Sequence, residues 1–206
     1  MFDFKQWAFC GETLDEFLSP EELSAITVLA DLCDPRRDSH FWESIVARIT
    51  SGTLTDHKCA WDVEIGEIRV EVKFATAFVC RFSNGARKVF KFASLTGTGK
   101  ERKPCDVLVL IGFDDPFFYT WVMPYGEVRG NGATLSVPTD RKSDIGVSTR
   151  AFFDKHAGCP SQLLPDILAA AKFSDRDPDA KHHAANAALT RRRKAPQIDL
   201  EDFING

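Results

Sequence analysis

The hydrophobic period of the chain changes from about 3.6 residues to about 2 near Cys59, and this change constrains the fold more than any other feature. Apolar and polar residues alternate on both sides of Gly66-Glu67, which predicts two antiparallel strands joined by a two-residue turn. Glycine in the first central position is what a type II′ turn requires. A slip of one residue would expose the whole apolar face, so that face fixes the register. It consists of Val63, Ile65, Ile68, Val70, Val72 and Phe74.

The predicted register places two carboxylates, Asp62 and Glu71, opposite each other, with Lys73 farther along the same polar face. Cross-strand partners have Cβ atoms about 4.5–5.5 Å apart, and two acids that close repel unless one is protonated or a cation lies between them. Mg²⁺ takes one or two carboxylates and keeps several waters. The pattern therefore fits a Mg²⁺ site for phosphodiester hydrolysis, in which Mn²⁺ could substitute. It also fits the solvated face of a half-exposed strand, where Asp, Glu and Lys are common.

Two helices are predicted before the hairpin. Ser19-Pro20-Glu21-Glu22 combines an N-cap, a proline at the first helical position and acids in the first turn, and Asp34-Pro35 ends the helix that it starts. A second helix begins after Asp38 or Ser39 and stops at Ser51-Gly52. Near the other end of the chain, a helix is predicted over about residues 160–173, with Ser161 as its cap.

The stretch after the hairpin supplies further strands. Residues 105–113 form a near-continuous apolar run of strand length, which predicts a strand buried on both faces. Residues 117–123 predict another strand, closed by Pro124. Residues 86–95 favour neither helix nor strand, and the chain after Pro124 is rich in loop-forming residues. The 206 residues are enough for one domain, predicted over residues 1–194, followed by a tail at residues 195–206.

The hairpin with its two acids and lysine, followed by the buried strand, resembles the core of the PD-(D/E)xK nucleases, the restriction-endonuclease-like superfamily. The resemblance rests on Asp62 in WDVEIG and on Glu71-Val72-Lys73, which looks like the ExK element nine residues after the Asp. The run CDVLVLIGF looks like the strand that follows the crossover helix in that core. The resemblance covers about residues 39–123, and it departs from the family pattern at Trp61, where the motif has proline.

The resemblance implies an α/β fold with a restriction-endonuclease-like core, in which helices flank a mixed central β-sheet. It implies that Asp62, Glu71 and the backbone carbonyl of Val72 bind Mg²⁺, and that Lys73 acts on the hydrolytic water. A helix before the first strand often contributes a further acid in this family, and Glu43 in HFWESIVARI is the candidate. A surface Glu on an amphipathic helix explains Glu43 equally well. The expected activity is Mg²⁺-dependent cleavage of DNA by a type II restriction-like endonuclease.

Basic residues are concentrated between the hairpin and the buried strand predicted over residues 105–113. Residues 81–103 hold seven bases and one acid, although the net charge of the whole chain is −4. Such a stretch fits contacts to backbone phosphate, and it fits a solvated charged face as well. The residues expected to contact DNA are Arg87, Lys88, Lys91, Lys100, Arg102 and Lys103, with Arg141 and Lys142 farther along the chain.

The six cysteines form no CxxC pair, and their spacing does not fit a structural zinc site. We expect reduced thiols that are mostly small core residues. The first residues lack the pattern of a secretory signal, and no apolar run approaches the roughly 20 residues that span a bilayer. The sequence therefore predicts a cytoplasmic protein without a membrane partner.

Two alternatives remain open at this point. A non-catalytic nucleic-acid-binding or scaffold protein would keep the fold without the chemistry. The segment Gln197–Ile204 looks like a sliding-clamp-binding peptide of the Gln-x-x-Leu-x-x-Phe kind, or an amphipathic turn that packs on the chain's own core. One active site per chain implies a homodimer or sequential nicking if both DNA strands are cut.

Overall fold

The computed structural model describes residues 6–32, 34–35, 38–56, 59–83, 85–95, 104–128, 134–139 and 147–174. Within these residues the fold is mixed α/β, with a six-stranded mixed sheet, a three-stranded antiparallel sheet and four α-helices. The helices are α1 (Pro20–Leu32), α2 (Ser39–Thr50), α3 (Val147–Asp154) and α4 (Leu163–Ala171). The strands are β1 (Thr53–Leu54), β2 (Val63–Ile65), β3 (Ile68–Thr76), β4 (Phe78–Phe82), β5 (Gly85–Ala93), β6 (Val107–Asp114), β7 (Phe117–Pro124), β8 (Thr134–Pro138) and β9 (Ala157–Gly158).

The helix boundaries predicted before the hairpin are confirmed. Ser19 and Glu22 form a capping box at the start of α1, because the Ser19 hydroxyl accepts from the Glu22 N–H and the Glu22 carboxylate accepts from the Ser19 N–H. The Asp38 side chain caps α2 by accepting from the His40 N–H at 2.9 Å. Ser51 ends α2 with a left-handed φ of 53°, the conformation that commonly closes a helix.

The predicted hairpin is also confirmed. The Cα partners are Ile65 with Ile68, Glu64 with Arg69 and Val63 with Val70. Gly66 takes the positive φ, 61°, that the predicted turn needs at its first central residue. The hairpin forms one side of the main sheet, whose strand order is β1-β2-β3-β6-β7-β9. Strand β6 runs parallel to β3 and antiparallel to β7, so β3 lies between an antiparallel and a parallel neighbour.

Apolar residues on the two faces of the main sheet belong to two separate cores. Val70 and Val72 of β3 are buried on one face, in a core that includes Trp42 and Ile45 of α2. The other face packs against the small sheet, which has the order β4-β5-β8. Neighbouring residues of a strand point to opposite faces, so Glu71 lies on the side where the small sheet packs.

The connection from β3 to β6 differs from the one that the family resemblance implies. A crossover helix was the expectation, whereas the described part of this connection contains strands β4 and β5 and no helix. Residues 86–95, whose pattern favoured neither state, lie almost entirely in β5. Strand β8 and helix α3 lie in the region after Pro124 that was predicted to be rich in loops. The apolar run at residues 105–113 is confirmed as a fully buried strand, since every residue of β6 except Asp114 is buried.

The predicted cap of the last described helix is wrong. A 3₁₀ turn occupies Pro160–Gln162, and α4 begins only at Leu163. The N–H and hydroxyl of Ser161 both donate to the carboxylate of Glu12 from the N-terminal segment. A long-range contact therefore takes the side chain that local capping would have used. Residues 175–206, with the tail, lie outside the described residues.

The prediction that the cysteines are mostly core residues is wrong for those that the structure describes. Cys105 is buried, Cys10 is exposed, and the other three are half-buried (Cys59, Cys80 and Cys159). In the described part of the chain, no helix is both long and apolar enough to cross a membrane.

Candidate active site

Three oxygen-bearing groups of the hairpin meet at one cationic atom. The Nζ atom of Lys73 forms an ion pair with Oε1 of Glu71 and lies 3.8 Å from Oδ2 of Asp62. The same ammonium donates a hydrogen bond of 3.1 Å to the backbone carbonyl of Val72. The structure therefore brings together all four residues that the D…ExK pattern singles out.

Asp62 reaches this position by an irregular end to the β2–β3 ladder. The prediction that Asp62 and Glu71 form a regular cross-strand pair is wrong, because β2 begins at Val63 and the Asp62 N–H donates to the Val70 carbonyl at 2.9 Å. The Asp62 side chain itself accepts a backbone N–H of β3, because its Oδ2 receives the N–H of Val72 at 2.8 Å. Local bonds of this kind compete with a sheet ladder. The carboxylate is thereby held beside the ExK segment.

The burial of these side chains does not fit a solvated strand face. The side chain of Glu71 is 0% exposed, that of Lys73 is 18% exposed and that of Asp62 is 21% exposed. Burying a charge is costly unless it is paired or binds a metal. The fold therefore keeps two acids and a lysine in buried or largely buried positions, although burying their charges is unfavourable.

The electrostatics of the cluster follow from its burial and its excess of acids. Burial raises the pKa of Asp62 to about 7, with help from the charges of Glu71 and Glu43, while Lys73 and the Val72 N–H act in the opposite direction. Burial by itself would lower the pKa of Lys73, but the carboxylates of Glu71 and Asp62 outweigh it and raise that pKa. Lys73 therefore remains an ammonium group at neutral pH.

Glu43 adds a third carboxylate from the first turns of α2. Its side chain is 15% exposed, and its charge acts on both Asp62 and Lys73. Among the described residues, the ligand oxygens of Glu43, Asp62 and Glu71 do not all lie within 4.8 Å of one another. Glu43 is thus placed beside the site and does not complete a tight cluster of three acids.

His40 also belongs to this region, although sequence reasoning did not select it. Its Nδ1 lies 3.1 Å from Oε2 of Glu43. The hydrogen bond with Glu43 raises the pKa of His40, burial opposes this, and the charges of Glu43, Asp38 and Asp62 add to the rise. The signal that could have found it is the spacing of three residues from Glu43, which places both side chains on one helix face.

Trp61 and Asp106 support the two ends of the hairpin. The Trp61 indole N–H donates to Oε1 of Glu64 at 2.9 Å, and the guanidinium of Arg69 lies 4.2 Å from the Trp61 ring centroid. The buried carboxylate of Asp106 accepts the Arg69 N–H at 2.8 Å and the Ser174 hydroxyl at 2.6 Å. Trp61, the residue before Asp62, is thus held in place by the contacts of its indole ring with Glu64 and Arg69.

The structure describes three of the eight basic residues that were expected to contact DNA. Arg87 lies over the ring of Phe82, 4.0 Å from its centroid, and Lys88 forms an ion pair with Asp114 at the end of β6. Lys91 is exposed on β5, the strand of the small sheet that lies against β3. The remaining five lie outside the described residues: Lys100, Arg102, Lys103, Arg141 and Lys142.

No protein-family model matches the chain, and a search of curated proteins finds no match. The chemistry of the site must therefore be read from its own residues. Its donors are two carboxylates and one backbone carbonyl, all of them hard oxygen ligands. Such donors suit Mg²⁺ or Mn²⁺ better than a thiophilic metal. Because these oxygens already converge on the Lys73 ammonium, they fit the requirements of a site for a small cation.

Proposed function

We propose that this chain is a Mg²⁺-dependent DNA endonuclease of the type II restriction-like kind, built on a restriction-endonuclease-like core. The observation that carries the proposal is the convergence of the Asp62 carboxylate, the Glu71 carboxylate and the Val72 carbonyl on one positive charge. Two acids and a lysine so close together and so little exposed have a clear use in phosphodiester hydrolysis, where a metal ion and a charged donor act on the same phosphate.

The residues would divide the work as follows. Asp62, Glu71 and the carbonyl of Val72 would hold the ion, and Mn²⁺ could replace Mg²⁺ on the same oxygens. The bound ion would supply charge stabilisation at the phosphate and a water of lowered pKa. Lys73 is protonated, so it acts as a hydrogen-bond donor that orients the attacking water or neutralises a phosphate oxygen, and not as a general base. Glu43 and His40 lie beside the site, where their charges would change the electrostatic potential at the bound ion.

The order and direction of the strands support the restriction-endonuclease-like core. Helix α2 precedes β2, Asp62 lies immediately before β2, and Glu71-Val72-Lys73 lies on the antiparallel neighbour β3. Strand β6 then joins β3 in parallel. The small sheet in the described part of the connection is the main departure from the expected core. A fold alone does not define an activity, so the proposal depends on the site.

The basic residues of β5 support a nucleic-acid substrate, and DNA is the one that we propose. Arg87, Lys88 and Lys91 lie on β5, and β5 lies against the strand that carries Glu71 and Lys73. Contacts of such residues to phosphate would place the duplex without selecting its sequence. A homodimer, a sliding-clamp partner at Gln197–Ile204 and a cytoplasmic location stay predictions of the sequence.

The test is cleavage of supercoiled plasmid and of linear mixed-sequence DNA, with an RNA of the same sequence alongside. Each substrate is incubated with Mg²⁺, Mn²⁺ or EDTA. The proteins are wild type, Lys73→Ala, Asp62→Asn and the control Lys172→Ala, whose residue is exposed beyond the end of α4. We expect metal-dependent cutting that falls about 100-fold or more in the two site variants and is unchanged in the control.

The other outcomes separate the alternatives. Discrete fragments indicate a site-specific enzyme, and a smear indicates a non-specific one. DNA binding at low salt without cutting in any metal would replace the proposal with the non-catalytic binding protein. Cutting that survives in Lys73→Ala and Asp62→Asn would place the active site elsewhere.

A further inference from the structure

A second cluster of metal-ligating side chains lies outside the candidate active site. Among the described residues, Cys10, Glu12 and Cys159 form a group whose ligand atoms all lie within 4.8 Å of one another. Cys10 and Glu12 belong to the N-terminal segment before α1, whereas Cys159 is the residue before the 3₁₀ turn that leads into α4. The fold therefore joins two thiols and a carboxylate that the sequence keeps far apart.

Backbone hydrogen bonds shape the N-terminal segment at this cluster, and two further bonds hold the side chain of Glu12. The N–H groups of Cys10 and Gly11 donate to the Trp7 carbonyl at 3.3 and 2.7 Å, and the Trp7 N–H donates back to the Glu12 carbonyl at 2.9 Å. The Glu12 carboxylate accepts the N–H and the hydroxyl of Ser161, two residues after Cys159. Hydrogen bonds to a ligating carboxylate are the usual means of fixing its orientation at a metal site.

We propose that Cys10, Glu12 and Cys159 bind a zinc ion. Two thiolates with one carboxylate form the borderline-soft donor set that Zn²⁺ accepts and Mg²⁺ does not. A tetrahedral ion would keep one position for water, and the carboxylate of Asp166 lies beside Gly158, the residue before Cys159. Binding releases the two thiol protons to solvent, so the overall step is an exchange of Zn²⁺ for two protons. The exposed side of Cys10 gives the ion a route from solvent.

The position of the cluster indicates a structural role. The N-terminal segment contacts β7 through the bridge between Trp7 and Phe118, and β9, which precedes Cys159, pairs with the same strand. An ion at the cluster would fasten these two segments to each other. Closing a loop of such length in sequence restricts the unfolded chain strongly, so the ion would stabilise the native fold.

The test uses the untagged full-length chain with its thiols kept reduced by a phosphine. Co²⁺ is titrated as a spectroscopic substitute for Zn²⁺, and Zn²⁺ is then measured by competition with a chromogenic chelator. We expect one ion per chain, a sulfur-to-cobalt charge-transfer band with the intensity of two thiolates, and a tetrahedral visible spectrum. Zn²⁺ at about 100 times its Kd is expected to raise the unfolding midpoint by about 5–10 °C.

Variants distinguish this cluster from a cysteine elsewhere in the fold and from the candidate active site. Cys10→Ser and Cys159→Ser should each halve the charge-transfer intensity and weaken Zn²⁺ binding at least about tenfold, and Glu12→Gln should weaken binding without loss of the band. The matched control is Cys80→Ser, a half-buried cysteine on β4; Asp62→Asn tests independence from the candidate active site. The proposal is overturned if reduced wild type shows no charge-transfer band, or if the band survives the double variant Cys10→Ser/Cys159→Ser.

Discussion

The backbone N–H of Val72 donates a hydrogen bond of 2.8 Å to Oδ2 of Asp62. The carbonyl of the same residue accepts the Lys73 ammonium at 3.1 Å. Val72 thus connects both halves of the candidate site through its main chain, while its side chain is buried among the apolar residues on the opposite face of the sheet. The position of the acid therefore depends on the register of the hairpin, which the apolar side chains set.

The first prediction concerns Asp62→Asn and pH in the metal-free protein. The folded-state pKa of Asp62 is raised from 3.8 to about 7, so folding favours its protonated form. This contribution to stability is present below about pH 4 and is lost as the pH rises through about 7. We expect Asp62→Asn to match wild type near pH 4 and to exceed it by about 2–4 kcal/mol above pH 7.

The measurement is urea unfolding of both proteins in EDTA across this pH range. Differences between the two proteins at each pH remove the effect of all other titrating groups. A stability difference that stays constant from acid to neutral pH would show that the Asp62 carboxyl titrates normally.

The second prediction is that Lys73 stabilises the fold through Glu71. Lys73→Met keeps most of the side-chain volume but removes the cation beside a carboxylate that is 0% exposed. Breaking a buried pair in this way costs about 3–5 kcal/mol. We expect the double variant Glu71→Gln/Lys73→Met to be more stable than Lys73→Met alone, because the fully buried Glu71 carboxylate is then replaced by a neutral amide that needs no cation. Unfolding free energies of the four proteins give the coupling, and strict additivity of the two substitutions would contradict it.

Local pattern was sufficient to predict the hairpin, and distant packing determined what surrounds it. The alternation from Val63 to Phe74 defines strands, turn and register without help from the rest of the chain. Glu71 lies on the face of β3 where the small sheet packs, and the strands of that sheet come from residues 78–93 and 134–138. Phe90 and Phe92 of that sheet fit a helix as well as a strand, and only their packing against β6 and β7 decides between them.

The details missed at the two sites have a similar cause. Asp62 leaves the regular ladder because its side chain accepts a backbone N–H, a choice that alternation does not encode. The proximity of Cys10 and Cys159 has no signature in their spacing, since the N-terminal segment and β9 are brought together only because both pair with β7. Glu43 was accessible to sequence reasoning only through the family resemblance, whereas its pairing with His40 follows from helix geometry.

The third prediction is that Arg150 of α3 cannot be replaced by lysine. Its side chain is 2% exposed, its Nη1 donates to the Pro138 carbonyl at 2.9 Å, and its Nε donates to Asp154 at 2.8 Å. The guanidinium also lies 5.3 Å from the ring centroid of Tyr119. Lysine keeps the charge but cannot form this planar set of contacts.

We expect Arg150→Lys to lower the free energy of unfolding by about 2–4 kcal/mol. The matched control is Arg48→Lys, because Arg48 pairs with Glu22 at the surface and its replacement should cost less than about 1 kcal/mol. Urea unfolding measures both changes. Equal losses in the two variants would mean that the buried contacts of Arg150 contribute no more than a surface ion pair.

The fourth prediction is that Gly112 sets the distance between the two sheets. A Cβ atom at this position of β6 would lie 2.8 Å from Cε1 of Phe90 and 2.9 Å from its Cδ1. Phe90 is fully buried and cannot move aside without displacing its neighbours in the second core. Gly112→Ala should therefore cost about 1–3 kcal/mol of unfolding free energy, whereas alanine in place of an unhindered strand glycine would gain about 0.5–1 kcal/mol.

Phe90→Leu provides the second half of this test, because it shortens the side chain that alanine would meet. By itself Phe90→Leu should destabilise the fold by leaving a cavity. In the double variant Gly112→Ala/Phe90→Leu, the new methyl group occupies part of that space, so we expect a loss at least about 1 kcal/mol smaller than the sum of the two single losses. Additive losses in urea unfolding would show that the contact between Gly112 and Phe90 does not limit the approach of the sheets.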